Sequence, residues 1–171
     1  MQEEVVPFAS GPYWILCGVL LLGRGMDFLS TWIASPNLRL EANPIARKLG
    51  WRWGAVVNVA LCFGFAFLPV GAIVVATCSC LVAARNFQSA CLMRALGENL
   101  YSLWYAEQVG AIPPALYLFC LLAQSGLFLL IGLALMLFSV SLIPFAIGLG
   151  MVAYAMAVTL FTLLARYRSG H

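Results

Sequence analysis

Two opposite charges stand inside the first apolar run of the sequence. The stretch RGMDFLSTW carries Arg24 and Asp27, and Thr31 follows four residues after the aspartate. Residues three and four apart lie on one face of a helix, so these side chains would form a polar stripe that points at other helices. A lone charge at the centre of a bilayer costs about 2.5–3.5 kcal/mol on insertion scales unless it is paired or reaches water. The charges therefore need a structural or a functional reason.

Two interpretations of this pair are open. In the first, Arg24 and Asp27 neutralise each other and clamp the helices together. In the second, Asp27 faces a cytoplasmic cavity and binds a ligand, while Arg24 adjusts its charge. Ionisable residues within membranes are functional by default, but a structural clamp needs the same adjacent opposite charge.

Further polar residues are expected in the same half of the membrane as Asp27. Each has a structural explanation as well: Glu41 as a solvated loop carboxylate, Asn43 as a helix cap and Arg85 as a side chain that reaches phosphate head groups. No catalytic residue or cofactor is predicted, and the sequence does not identify a metal. The candidate ligand-binding residues are Arg24, Asp27, Ser30, Thr31, Glu41, Asn43, Arg85 and Asn86.

The composition predicts an integral membrane protein of one domain, residues 1–171. Of the 171 residues, 64% are hydrophobic and 9% are charged, which lies outside the range of soluble domains. The nine lysines and arginines are spread over several segments. This spread disfavours nucleic-acid binding and leaves the lipid bilayer as the expected partner.

The histidine and cysteine patterns disfavour several kinds of catalytic and metal site. The single histidine, His171, is the last residue, which argues against HExxH zinc sites and Ser-His-Asp triads in the membrane. None of the six cysteines belongs to a CxxC pair, so we expect small buried thiols. No GxSxG motif and no repeated aspartate motif is present. A membrane enzyme that acts on lipid is therefore the least favoured function.

The number of membrane spans depends on one apolar block, Trp51 to Ala84. The block is too long for one crossing of about 20 residues, and it contains Leu68-Pro69-Val70-Gly71, where proline and glycine favour a reversal. One kinked helix here would give four spans in all, whereas a hairpin of two helices would give five.

The distribution of basic residues favours five spans. Lys and Arg in short loops collect on the cytoplasmic side, and five spans place eight basic residues on one side, whereas four spans divide them evenly. These residues are Arg39, Arg47, Lys48, Arg52, Arg85, Arg94, Arg166 and Arg168. We predict an all-α bundle in a cell membrane, with its N-terminus outside and its C-terminus in the cytoplasm. The predicted spans are about 12–34, 51–68, 70–92, 112–137 and 140–165.

Two short helices are predicted on the cytoplasmic surface. In the first, Asn43 is the cap, Pro44 is the first helical residue and Gly50 is the stop. The second covers about residues 99–108, where several apolar residues share a face.

The polar motif resembles that of a known family. Asp27 with Ser30-Thr31, then Glu41-Ala42-Asn43-Pro44, then Asn86 at the end of the third span are similar to the small prokaryotic membrane proteins grouped as domain of unknown function 5658. A lysine often stands in the second span of that family, where Asn58 is the nearest counterpart here. The resemblance implies a shared cytoplasmic site and a prokaryotic inner membrane. Because the family has no established activity, it does not identify what binds at that site. It covers a three-span unit at about residues 20–90, to which a C-terminal hairpin at about 111–166 would be an addition.

The favoured function is a binding or transport-type bundle for a cation, a proton or a small polar solute, because hard oxygen ligands suit such species. The alternative is a non-catalytic scaffold or subunit that packs against a membrane-protein partner or a second copy. Small residues at every fourth position of the third span would let helices approach closely. These residues are Ala72, Ala76, Cys80 and Ala84.

Overall fold

The protein is a bundle of helices. The computed structural model describes residues 4–41 and 43–169, with side chains described as far as residue 164. Ala42, His171 and the side chains of Arg166 and Arg168 therefore lie outside the described part. The described residues form six helices and no strand: α1 (Gly11–Ala34), α2 (Pro44–Phe65), α3 (Pro69–Leu96), α4 (Glu98–Ala111), α5 (Pro114–Phe138) and α6 (Leu142–Ser169).

Four of these helices are long and apolar enough to cross a membrane. They are α1, α3, α5 and the part of α6 up to Leu164. This agrees with the predicted all-α membrane protein. The described helix α2 is long enough but not apolar enough to be one of them, because its first half carries Arg47, Lys48 and Arg52. A fifth span through α2 stays a prediction.

Gly50 divides α2 into two segments. Asn43 caps the first segment, since its Oδ1 accepts a hydrogen bond from the backbone N–H of Ile45 at 3.0 Å, and Pro44 is the first helical residue. Gly50 has φ 67° and ψ −177°, a backbone conformation that glycine adopts readily and other residues do not. The predicted short helix and its stop are confirmed, while its position on the membrane surface stays a prediction.

A tight turn, and not a kinked continuous helix, joins α2 to α3. Helix α2 ends at Phe65 and helix α3 begins at Pro69, whose fixed φ suits a first helical position. The backbone N–H of Val6 donates to the carbonyl of Phe67 at 3.0 Å, which fixes the N-terminal segment against this turn. The break lies where the proline and glycine predicted it.

The second segment of α2 runs antiparallel to α1 along its side. Near the start of α1, the hydroxyl of Tyr13 donates to the carbonyl of Phe63 at 3.2 Å. At the other end, the indole N–H of Trp51 donates to the carbonyl of Pro36 at 2.7 Å. The second segment of α2, residues 51–65, is about 22 Å long at 1.5 Å per residue. This is somewhat less than the thickness of a hydrocarbon core, about 30 Å.

The small-residue seam of α3 follows a different period from the predicted one. Ala72 and Ala76 are buried as expected, but Cys80 and Ala84 are exposed. The buried seam continues instead through Ser79, Ala83 and Ala90. A step of four residues drifts around a helix of 3.6 residues per turn, whereas alternating steps of three and four stay on one face.

The prediction that the cysteines are buried is only partly correct. Cys17 and Cys62 are buried and Cys78 is partly buried, but three others are exposed on the surface of the chain. A free cysteine behaves as a small apolar residue, so it is compatible with an apolar outer surface as well as with the interior of the bundle. The exposed cysteines are Cys80, Cys91 and Cys120.

The helix directions bring the basic residues to one end of the bundle. Gly150 of α6 lies against Val74 and Thr77 of α3, and further along α6 the hydroxyl of Thr162 accepts from Arg85 of α3 at 3.5 Å. These two helices therefore run parallel, and α5 returns antiparallel beside α6. We call the end where α1, α3 and α6 finish the basic end. The described basic residues there are Arg39, Arg47, Lys48, Arg52, Arg85 and Arg94.

Candidate functional site

The guanidinium of Arg24 is the centre of a polar network inside the bundle. Its Nη1 donates to Asp27 Oδ2 at 2.9 Å and to Ser79 Oγ at 3.1 Å. Its Nε donates to Asn58 Oδ1 at 2.8 Å, and Nη2 donates to the same oxygen. The network thus connects α1, α2 and α3 through one side chain. The charges of Arg24 and Asp27 balance, which lowers the cost of burying either one.

Asn58 is held in the orientation that this network requires. Its Nδ2 donates to the carbonyl of Gly54, one turn earlier in α2, at 2.7 Å. With the amide nitrogen bound there, Oδ1 is left to accept from Arg24. Asn58 therefore hydrogen-bonds to the neighbouring helix α1.

A second group of polar residues lies one turn nearer the basic end. The amide Nδ2 of Asn86 on α3 donates to Ser30 Oγ and to Thr31 Oγ1, both at 3.3 Å. Ser30 is fully buried and donates to the carbonyl of Asp27 at 2.8 Å. The structure therefore connects Asn86 of α3 to Ser30 and Thr31 of α1, and Ser30 to the backbone carbonyl of Asp27.

The other predicted site residues have separate contacts. Glu41 Oε1 accepts from the backbone N–H of Asn43 at 2.8 Å, within their own loop. Asn43 serves as the cap of α2. Arg85 points at α6, where Thr162 and Tyr154 interact with it.

The carboxylate of Asp27 is only partly used by the network. Oδ2 accepts from Arg24, while Oδ1 makes no hydrogen bond with the described residues. The side chain keeps 18% of its surface exposed. Carboxylate oxygens can accept several hydrogen bonds, so this oxygen is open to a proton, an ion or a polar solute.

Two polar partners were not among the predicted site residues. Ser79 is buried on α3 and binds Arg24, but a serine in an apolar helix gives no sign of its partner. Glu98, at the start of α4, is also buried: its Oε1 accepts from Ser35 Oγ at 3.0 Å and from the backbone N–H of Asn37 at 2.7 Å. Its Oε2 is buried and has no hydrogen-bond partner among the described residues.

Aromatic side chains follow Glu98 along α4. Tyr101, one turn further along α4, is buried and its ring centroid lies 5.9 Å from that of Tyr105. Burial raises the pKa of the Tyr101 phenol above its usual value, and the neighbouring Tyr105 adds to the rise. Tyr101 is therefore a neutral side chain at physiological pH.

The described residues contain no group of three or more His, Cys, Asp or Glu side chains that could hold a metal ion. Comparisons with protein-family models, with curated proteins and with solved structures found no match. The resemblance to domain of unknown function 5658 accordingly stays a prediction.

Proposed function

We propose that this multi-pass membrane protein binds or transports a cation, a proton or a small polar solute at Asp27. The observation that carries the proposal is that Oδ1 of Asp27 has no hydrogen-bond partner among the described residues, although it lies in a helix long and apolar enough to cross a membrane. A carboxylate oxygen in such a helix is costly unless it has a partner. A ligand or a proton would provide one.

Neighbouring groups can complete a shell around such a ligand. Thr31 stands one helical turn after Asp27, and its Oγ1 accepts from the amide of Asn86. Both side chains carry neutral oxygens, and oxygen donors suit hard cations. Arg24 lies 2.9 Å from Oδ2 and balances the charge of the aspartate, so a proton or a small cation changes the charge of the site least.

The proposal includes a five-span topology with the basic end in the cytoplasm. Its support is the antiparallel course of α2 beside α1 and the collection of basic residues at one end, as cytoplasmic loops require. It places the N-terminus outside, and the C-terminus and α4 on the cytoplasmic side. The resemblance stated above supports a prokaryotic inner membrane.

A scaffold or subunit role is the second candidate. Its support is the network of Arg24, which uses partners from its own chain on three helices and so resembles a structural clamp. In this role the protein would pack against another membrane protein or a second copy, and Asp27 would only balance the charge of Arg24.

Ligand-dependent thermal unfolding distinguishes the two roles. Purified wild type and Asp27→Asn would be melted at several pH values and with Na⁺, K⁺, Mg²⁺ and Ca²⁺. A ligand at a hundredfold excess over its dissociation constant stabilises the folded state by about 2.7 kcal/mol. The binding proposal predicts that one condition raises the midpoint of wild type and not that of Asp27→Asn. Equal responses of both proteins to every condition would contradict it.

A further inference from the structure

A groove of about 360 Å³ opens between α1 and α2. This volume lies within the range of small-molecule sites. Its walls are apolar, with Phe28 and Trp32 on α1 and Ala55 and Val59 on α2. Among its described lining residues, the strongly polar side chains are Arg24 and Asn58.

One hydrogen-bond donor of Arg24 has no partner among the described residues. A guanidinium carries five N–H donors, and the contacts with Asp27, Ser79 and Asn58 use four of them. The remaining N–H is on Nη2. The side chain of Arg24 is 30% exposed, and it lines the groove. The hydrocarbon core offers no water, so an unpaired donor there is costly.

The charge of the site favours a neutral acceptor. Asp27 already balances Arg24 at 2.9 Å, so an anion would bring an uncompensated charge into a medium of low dielectric constant. A carbonyl oxygen accepts a hydrogen bond without adding a charge.

The depth of Arg24 argues against an ordinary phospholipid as the source of that carbonyl. Arg24 is residue 14 of the 24 in α1, about 20 Å from the start of the helix and about 15 Å from its end. Ester carbonyls belong to the interfacial region at the edge of a core about 30 Å thick. At the depth of Arg24, a phospholipid presents only methylene groups.

We propose that the groove binds a neutral lipophilic carbonyl compound of the membrane-quinone class. Its carbonyl oxygen accepts from Nη2 of Arg24, and its planar ring packs among the aromatic and aliphatic walls that Phe28 and Trp32 contribute. This site is separate from the ligand proposed for Oδ1 of Asp27, and each can exist without the other.

Equilibrium titration of the purified full-length chain in detergent micelles tests the proposal. The probe is decylubiquinone, and the control compound is decylbenzene, which has the same chain on a ring that lacks the carbonyl, methoxy and methyl groups. We expect saturable binding of decylubiquinone and at least about tenfold weaker binding of decylbenzene, as loss of one buried hydrogen bond predicts. Equal binding of the two compounds would show that a hydrocarbon chain fills the groove, and would overturn the proposal.

Two substitutions on α2 locate the binding site. Ala55→Phe places a ring in the groove, whereas Val56→Phe adds the same ring at a residue that is 57% exposed and does not line it. We expect Ala55→Phe to weaken decylubiquinone binding at least about tenfold and Val56→Phe to change it less than about twofold. Equal affinities of the two variants, or an absence of saturable binding to wild type, would also overturn the proposal. The comparison of the two compounds on wild type does not depend on how Ala55→Phe folds.

Discussion

The side chain of Arg24 explains how a charge can stand within a membrane-length helix. Its partners include one carboxylate and two neutral oxygens, on three helices. Hydrogen bonds with a charged partner contribute about 1.5–3 kcal/mol each. Removing one partner leaves the charge buried and less satisfied, which costs more than the loss of an ordinary surface contact.

Asn58→Ala tests this account of the network. The substitution removes the oxygen that accepts from both Nε and Nη2 of Arg24, so we expect a loss of about 1.5–3 kcal/mol in the free energy of unfolding. Val56→Ala, at an exposed position two residues earlier, is the control and should lose far less. The measurement is reversible unfolding in mixed detergent micelles. Equal losses for the two variants would show that the network adds nothing specific.

Some contacts of these polar residues could be predicted from the sequence and others could not. Arg24 and Asp27 share one helix at a spacing of three, so their contact follows from helix geometry alone. Ser79 is 55 positions away from its partner, and Glu98 is 63 positions from Ser35. Such contacts depend on how helices pack, which no local pattern reports. Glu98 was also hidden by its type, because a glutamate in a loop is usually solvated.

At the scale of helices, close packing depends on glycine. Gly132 of α5 and Gly148 of α6 face each other, and a Cβ added at Gly132 would lie 2.7 Å from the carbonyl oxygen of Gly148. Backbones that approach this closely gain van der Waals contact, the main attraction between helices in lipid.

Gly132→Ala should therefore separate α5 from α6. We expect a loss of about 1–3 kcal/mol, since the new methyl group meets backbone that cannot move aside. Gly126→Ala is the matched control on the same helix, because a Cβ there has nothing within 4 Å. That variant should be neutral or stabilised, owing to the better helix propensity of alanine. Unfolding midpoints measure both, and a neutral Gly132→Ala would contradict the close contact.

Glu98 fixes α4 to the loop that follows α1. Glu98→Ala leaves the hydroxyl of Ser35 and the backbone N–H of Asn37 without their acceptor, at a cost of about 1–3 kcal/mol. We expect faster hydrogen exchange in residues 35–41 of that variant. Glu107→Ala, an exposed glutamate on the same helix, should leave exchange in this loop as in wild type. Unchanged exchange in Glu98→Ala would refute the contact.

The positions of the helices were easier to predict from the sequence than the contacts between them. Each of the six described helices begins or ends within a few residues of a predicted segment, because proline, glycine and asparagine mark many of these ends. The seam of α3 was predicted with the wrong period beyond Ala76, since small residues at every fourth position fit the sequence equally well. Which small residue is buried is decided by the neighbouring helix.

At the scale of the whole molecule, the course of α2 determines the topology. If α2 crosses the membrane, the turn at Leu68 and the loop between α1 and α2 lie on opposite sides. In a cysteine-free background, Leu68→Cys and Asn37→Cys place single thiols at two exposed positions. We expect a membrane-impermeant maleimide to label Leu68→Cys in intact cells and Asn37→Cys only after lysis. Labelling of both positions under the same condition would show that α2 does not cross.

The central claim is that Asp27 exchanges a ligand or a proton. Infrared difference spectroscopy of the purified protein, with Asp27→Asn as the reference, observes this carboxyl group directly. The account predicts that a change of pH or the addition of one of the tested cations alters a carboxyl band in wild type that is absent from the Asp27→Asn spectrum. A wild-type carboxyl signal that stays the same through every pH value and cation would contradict the claim and leave Asp27 as the counter-ion of Arg24.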